Sequence, residues 1–170
     1  MFLLIVEMGI NEMNKTQLIN ILETAKKAFL EKDVYLLEVE ANERSLTHKF
    51  GEHLQAVIGD SWDVDCEYNR RGFDTKTIYA TDIVGGWVKT DDLSAKTVYP
   101  DIIVHKRGPG GPNLLVIEAK KNATDKDEEN DNKKLALIQE QYGYRFSVFI
   151  NFIIKDRGII WGDLKENKLV

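Results

Sequence analysis

The sequence predicts an α/β protein with three layers, in which a mixed central sheet lies between helices. Three observations lead to this class. Two amphipathic helical patterns come first, two apolar strands separated by a Gly/Pro turn follow, and a further helical pattern precedes a long alternating strand. The resulting order, α-α-β-β-β-α-β-β, is typical of a mixed sheet with helices on both faces.

The first two helices are predicted from apolar residues at helical spacing. They cover residues 15–31 and residues 42–58, and Asn42 suits the N-cap of the second helix. Glu43 falls in the middle of the apolar stripe of that helix, so its carboxylate should point toward the core side. The alternative is a first-turn acid that the helix dipole stabilises. His48 lies about 140° from Glu43 around the helix and should not share its face.

The strands are predicted from alternation, or from short apolar runs bounded by turn residues. They cover residues 62–68, 99–105, 113–121, 144–154 and 158–164. A Gly/Pro turn at residues 108–112 pairs the second and third of these strands as a hairpin. The last helix is predicted over residues 129–141, and the acidic stretch at residues 125–131 should form a solvated face at its N-terminus.

Length and composition indicate one soluble globular domain over residues 1–170. Hydrophobic residues at 43% and charged residues at 30% exclude a disordered or membrane-spanning class. Cys66 is the only cysteine, which excludes an internal disulfide and a zinc-finger site and favours the cytoplasm. The apolar run at residues 2–6 is too short for a signal peptide or a membrane span, so we expect no membrane partner.

The formal net charge is −5, and residues 125–131 carry −4 of it. The rest of the chain is therefore close to neutral. Such a chain does not resemble a histone-like protein that binds DNA through its overall positive charge, although it permits one local basic groove. Charge alone does not identify the partner.

The predicted hairpin brings together a set of residues that suits metal-assisted hydrolysis. Glu118 and Lys120 are two residues apart on one strand and project from the same face, and Asp101 at the start of the other strand can face them. Two carboxylates and a backbone carbonyl are hard oxygen ligands for Mg²⁺, while an ammonium group can orient a water. The pattern favours a phosphodiester hydrolysis site. The alternative is a solvated rim of polar residues at the strand ends.

The sequence at these positions resembles the PD-(D/E)xK nuclease superfamily, whose fold is called restriction-endonuclease-like. The match consists of Pro100-Asp101, then Glu118-Ala119-Lys120, with Glu43 in the preceding helix, and the element order agrees over a core at residues 40–155. Within this superfamily, the Glu43-Arg44 to His48 helix and the strand at residues 64–70 resemble a group of small uncharacterised bacterial members. That narrower resemblance implies no activity.

The superfamily resemblance implies a Mg²⁺- or Mn²⁺-dependent nuclease, with DNA as the expected substrate. Asp101, Glu118 and the carbonyl of Ala119 would bind the metal, Lys120 would position the attacking water, and Glu43 would hold a metal-bound water or a second ion. Lys134 lies where the superfamily sometimes adds a basic residue, and we leave it out of the predicted set.

The sequence leaves two further points about function open. A catalytically silent nucleic-acid-binding or protein-interaction module on the same fold is the alternative to a nuclease, because a fold does not fix a function. A homodimer is compatible with the sequence.

Residues 1–12 show neither a helix cap nor strand alternation, so we expect them to be dispensable. Deleting them should change the melting temperature only slightly when unfolding is followed by circular dichroism. A collapse in solubility would contradict this prediction and would show that residues 2–6 pack as a strand or against a second subunit.

Overall fold

The structure is a computed structural model that describes residues 13–68, 70–71, 74–75, 77–78, 96–97 and 99–167. Four helices are described: α1 (Lys15–Lys32), α2 (Tyr35–Glu38), α3 (Glu43–Ile58) and α4 (Asp125–Tyr142). The strands before the predicted hairpin are β1 (Asp63–Cys66), β2 (Arg70–Arg71), β3 (Asp74–Thr75), β4 (Thr77–Ile78) and β5 (Lys96–Thr97). The later strands are β6 (Ile102–His105), β7 (Asn113–Lys121), β8 (Phe146–Ile153), β9 (Gly158–Trp161) and β10 (Lys165–Glu166). The prediction about residues 1–12 lies outside the described residues.

Six of the described strands form one open mixed sheet in the order β1-β6-β7-β8-β10, with β9 also paired to β8. β6 and β7 are antiparallel, as the hairpin prediction requires, and β7 and β8 are parallel because α4 carries the chain back between them. The other pairs in this sheet are antiparallel. β2 pairs with β3, and β4 with β5, in two small ladders. The α/β class with a mixed sheet is therefore confirmed.

Helices cover both faces of this sheet, and each face has its own buried cluster. On one face α1 and α3 pack side by side, and Leu22, Phe29 and Phe50 contact alternate residues of β7 and β8. On the other face Leu135 and Ile138 of α4 pack on a smaller cluster from β6, β7 and β8. Alternate residues of β7 therefore face different helices, and Val116, Glu118 and Lys120 belong to the α4 face.

The helix ends follow the side-chain caps that the sequence provides. Asn14 caps α1 in a reciprocal capping box with Gln17, and Asn42 caps α3 by accepting from the Ser45 N–H. α4 begins at residue 125 and not at residue 129, so the predicted start was wrong. The reason is a second capping box, between Thr124 and Asp127, which lets the helix begin inside the acidic stretch.

The acidic stretch also differs from prediction in its exposure. Asp131 is one of the buried charged residues, with 6% of its surface exposed, whereas Asp125 and Glu129 are exposed. A continuous solvated face was therefore the wrong expectation. At 3.6 residues per turn a run of seven residues covers every side of a helix, so one member of the run must turn toward the sheet. None of the described helices is long and apolar enough to cross a membrane.

The close approach of α3 to β1 depends on Gly51. A Cβ atom built on Gly51 would lie 2.8 Å from the Sγ atom of Cys66, so the helix reaches the strand only because this position has no side chain. This contact sets the height of α3 above the sheet. It also fixes where Glu43, two turns earlier in α3, meets the end of β7.

Replacing Gly51 with alanine should therefore have opposite effects in two backgrounds. In the wild type, overpacking against Cys66 costs about 1–3 kcal/mol and outweighs the gain in helix propensity of about 1 kcal/mol. With Cys66→Ala the obstructing sulfur is absent, so Gly51→Ala should stabilise by about 1 kcal/mol. Urea unfolding of the four proteins measures this coupling. An equal effect in both backgrounds would contradict the proposed contact.

Candidate active site

Asp101 and the end of β7 meet at one edge of the sheet. The hairpin register pairs Ile102 with Ile117, which puts Asp101 beside Glu118. Asp101 Oδ2 accepts a hydrogen bond of 2.7 Å from the backbone N–H of Ala119. Burial raises the pKa of Asp101; the Ala119 N–H opposes this effect. The structure therefore brings the predicted acid of β6 directly onto the Glu118-Ala119-Lys120 segment.

Glu118 is the most deeply buried of the predicted charged site residues, with 3% of its surface exposed. Its Oε2 atom accepts a 2.6 Å hydrogen bond from the Nζ atom of Lys134. Its Oε1 atom is buried and has no hydrogen-bond partner among the described residues. Burial raises the pKa of Glu118 to about 8, and the charges of Asp101 and Asp131 add to that effect while Lys134 opposes it. Lys134 thus binds only one of the two carboxylate oxygens of Glu118.

Glu43 reaches the same edge of the sheet from the first turn of α3. Its Oε2 atom accepts a 2.9 Å hydrogen bond from the backbone N–H of Lys121, and its Oε1 atom lies 4.0 Å from Lys120 Nζ. Glu43 is therefore a first-turn acid behind its Asn42 cap and also a neighbour of the predicted lysine. The two interpretations of Glu43 do not exclude each other.

Lys120 is half-buried among carboxylates. Burial by itself disfavours its ammonium form, yet the negative charges of Asp131 and Glu43 and, more weakly, of Asp101 and Glu118 outweigh that effect and raise its pKa. Lys120 is thus held as an ammonium group that donates hydrogen bonds. In that form it can orient a water or a phosphate oxygen.

The sequence reasoning missed Asp131 and left Lys134 outside the site. Both lie on the side of α4 that faces β7, one turn apart, and Lys134 reaches Glu118 directly. The signal in the sequence is the three-residue spacing of Asp131 and Lys134, which puts both on one side of the helix after β7. A helix predicted to start at residue 129, with its acidic stretch in solvent, gave no reason to place Asp131 against the sheet.

A surface pocket adjoins the carboxylates. α3 contributes four residues to its lining. The end of β1, the residue after it and the residue before β6 contribute the other three. The lining residues are Glu43, Arg44, Thr47, His48, Cys66, Glu67 and Asp101. His48 and Glu43, about 140° apart around the helix, both line this pocket, because it spans more than one side of the first turns of α3. Within it Arg44 Nε pairs with Glu67 Oε1 at 2.8 Å.

The other two histidines make hydrogen bonds to aspartates away from this edge. His53 Nε2 is 2.6 Å from Asp33 Oδ2, between α3 and the end of α1. His105 Nε2 is 2.8 Å from Asp65 Oδ2, at the opposite end of β6 from Asp101. Neither can contribute a ligand to the Glu118 site.

Among the described residues, no three His, Cys, Asp or Glu side chains converge as a ready-made metal cage. Comparison of the chain with protein-family models, curated protein sequences and solved structures gives no match. The candidate site is therefore interpreted from its geometry and from the residues themselves.

Without a divalent cation, stability should fall as pH rises from about 5 to about 8.5. Glu118 has a higher pKa in the folded chain, about 8, than its ordinary value of 4.5, so the folded state binds more protons across this window. The stabilisation is complete below pH 4.5 and is lost as pH rises through 8. Groups with lowered pKa values, such as Asp127, are ionised in both states above pH 5, so they add no pH dependence in this window.

Glu118→Gln removes the titrating group while keeping its shape, so its stability should depend less on pH over this window. Urea unfolding at several pH values in EDTA measures the slope for both proteins. Glu129→Gln, an exposed change on α4, is the control and should keep the wild-type slope. A wild-type slope in Glu118→Gln would contradict the assignment of the raised pKa to Glu118.

Proposed function

We propose that this protein is a Mg²⁺- or Mn²⁺-dependent nuclease of the PD-(D/E)xK superfamily that hydrolyses phosphodiester bonds, with DNA as its substrate. One observation carries the proposal. Asp101 binds the backbone of Ala119 at 2.7 Å, so the acid of β6 and the Glu118-Ala119-Lys120 segment of β7 share one edge of the sheet. Asp101 and Glu118 are 17 residues apart in sequence, and the hairpin register makes them neighbours.

The connection of the elements also supports membership of this superfamily and its restriction-endonuclease-like fold. The hairpin β6-β7 is followed by α4 and then by the parallel strand β8, and an acid from the preceding helix α3 reaches the motif strand. This is the element order on which the resemblance rests. The resemblance to known nucleases, and not the contacts, is the reason for naming DNA over RNA.

The donor set fits a hard divalent cation. Glu118 Oε1 is a buried carboxylate oxygen without a partner among the described residues, and Asp101 bonds to Ala119 through Oδ2 alone. These two carboxylates and the Ala119 carbonyl would hold the ion, and two carboxylates are enough for Mg²⁺ because it keeps several waters. When bound, the cation offsets the negative charge that develops on the phosphate in the transition state.

The protein's own residues perform the remaining tasks. Lys120 presents an ammonium group beside the carboxylates, where it can hold the attacking water or a phosphate oxygen by hydrogen bonds. Glu43, 4.0 Å from Lys120, limits where that ammonium can lie, and it can accept a proton from the water as the new P–O bond forms. Lys134 fixes Glu118 through Oε2, which leaves Oε1 for the ion.

The pocket beside the site offers a place for the nucleic acid strand. Arg44, an exposed residue of α3, uses Nε to bind Glu67, so its terminal amino groups remain for a phosphate oxygen. Apart from residues 125–131 the chain is nearly neutral. Substrate binding should therefore depend on the cation and on a few such contacts, with a shallow salt dependence.

Purified protein should cleave supercoiled or linear DNA with Mg²⁺ or Mn²⁺ and not with EDTA. Asp101→Asn, Glu118→Gln and Lys120→Ala should each abolish cleavage while circular dichroism stays native, because they remove the metal ligands or the water-positioning group. Glu129→Gln and Lys133→Ala are matched controls, since these residues form an exposed pair on α4, and both should keep wild-type rates. Gel assays of the six proteins measure the rates.

Full activity in Lys120→Ala and Asp101→Asn would point to a contaminating nuclease and overturn the proposal. Cation-independent DNA binding without cleavage by the wild type would favour the catalytically silent module instead. Parallel reactions with structured RNA would show whether DNA is the preferred substrate.

A further inference from the structure

Two charged residues of α4, Asp131 and Lys134, lie on the side of the helix that faces β7. Because α4 connects the parallel strands β7 and β8, it runs antiparallel to β7. Moving from residue 118 to residue 120 advances about 6.6 Å along β7. Moving from residue 134 back to residue 131 advances about 4.5 Å along α4 in the same direction. Since Lys134 lies against Glu118, Asp131 is brought beside Lys120.

Two pairs of opposite charges link β7 to α4. In the first pair the strand supplies the acid Glu118 and the helix supplies the cation Lys134. In the second pair the strand supplies the cation Lys120 and the helix supplies the acid Asp131. The negative charge of Asp131 is the strongest of the carboxylate influences that raise the pKa of Lys120.

Asp131 is also buried in a way that a surface acid would not be. Only 6% of its surface is exposed, and its Oδ2 atom has no hydrogen-bond partner among the described residues. Leaving a carboxylate oxygen buried and unpartnered destabilises a fold, so this residue is not explained by stability. A metal-ligand role for Asp131 is the alternative, and the Mn²⁺ titration described below distinguishes it.

We propose that Asp131 is a positioning residue, which attracts the ammonium group of Lys120 toward α4 and holds it where it meets the attacking water. This role rests on the proposed nuclease function. Lys120 lies between two carboxylates, Glu43 on one side at 4.0 Å and Asp131 on the helix side, and their opposing attractions restrict the ammonium to the space between them. Asp131 itself touches no substrate.

The first test measures the link between the two side chains without any activity assay. Asp131→Asn removes a buried charge, so it should raise the urea midpoint or leave it unchanged. In a Lys120→Gln background the same change should raise the midpoint further, because the carboxylate there has lost its neighbouring cation. Equal shifts in the two backgrounds would overturn the proposal, and so would a lower midpoint in Asp131→Asn alone.

The second test measures the role in catalysis. Asp131→Asn should lower kcat by about 10–100-fold with KM unchanged, as is typical when a supporting partner of a site residue is lost. Asp131→Glu should recover part of the loss. Asp125→Asn, which removes an exposed charge from the same helix, should have no effect on kcat. Calorimetric titration with Mn²⁺ should give the same affinity for the wild type and for Asp131→Asn.

The outcomes separate this inference from the function on which it rests. Unchanged kcat in Asp131→Asn, with an active wild type, would overturn the positioning role and leave the nuclease proposal intact. Weaker Mn²⁺ binding in Asp131→Asn would make Asp131 a metal ligand and overturn the role as stated. An inactive wild type would overturn the proposed function and the role with it.

Discussion

The burial of Glu118 between the sheet and α4 is the constraint on which the rest of the site depends. A carboxylate that is 97% buried is unfavourable in its charged form, and the protein compensates it on one oxygen only, through Lys134. The other oxygen has no hydrogen-bond partner among the described residues. Removing Lys134 would leave a buried carboxylate without its cationic partner. The Glu118–Lys134 pair therefore links the packing of α4 on the sheet to the candidate site.

The position of α4 is itself determined by polar contacts at the start of the helix. Asn151 of β8 donates to the carbonyl of Ala123 and accepts from its N–H, which fixes the chain just before the helix. Thr124 then caps α4 with Asp127. These contacts set the register of the helix against β7, and that register decides which helical residues meet Glu118 and Lys120. A one-residue shift would rotate Asp131 and Lys134 by about 100° away from the strand.

The sequence was sufficient for elements that carry a strong periodic pattern. α1, α3 and β7 have almost the predicted bounds, because their apolar positions, caps and turn residues agree with one another. β1 ends earlier than predicted, where Glu67 adopts a left-handed backbone and donates its N–H to the Asp101 carbonyl, a contact 34 residues away in sequence. The burial of Asp131 was not predicted, for a related reason. Which side of an acidic helix is buried depends on the crossover geometry, and a local pattern does not contain that geometry.

The charges at this edge of the sheet connect the stability of the fold with the proposed metal site. The structure couples four carboxylates, those of Glu43, Asp101, Glu118 and Asp131, to the ammonium groups of Lys120 and Lys134. With every group ionised the set carries an excess of two negative charges. Burial raises the pKa values of Asp101, Glu118 and Asp131, and the neighbouring carboxylates add to that effect, so protons reduce the excess charge in the absence of metal. A single divalent cation would neutralise this excess of two charges at neutral pH and would favour the deprotonated form of the acids. A site built in this way would bind its cation more tightly as pH rises, since the cation and the protons compete for the same oxygens.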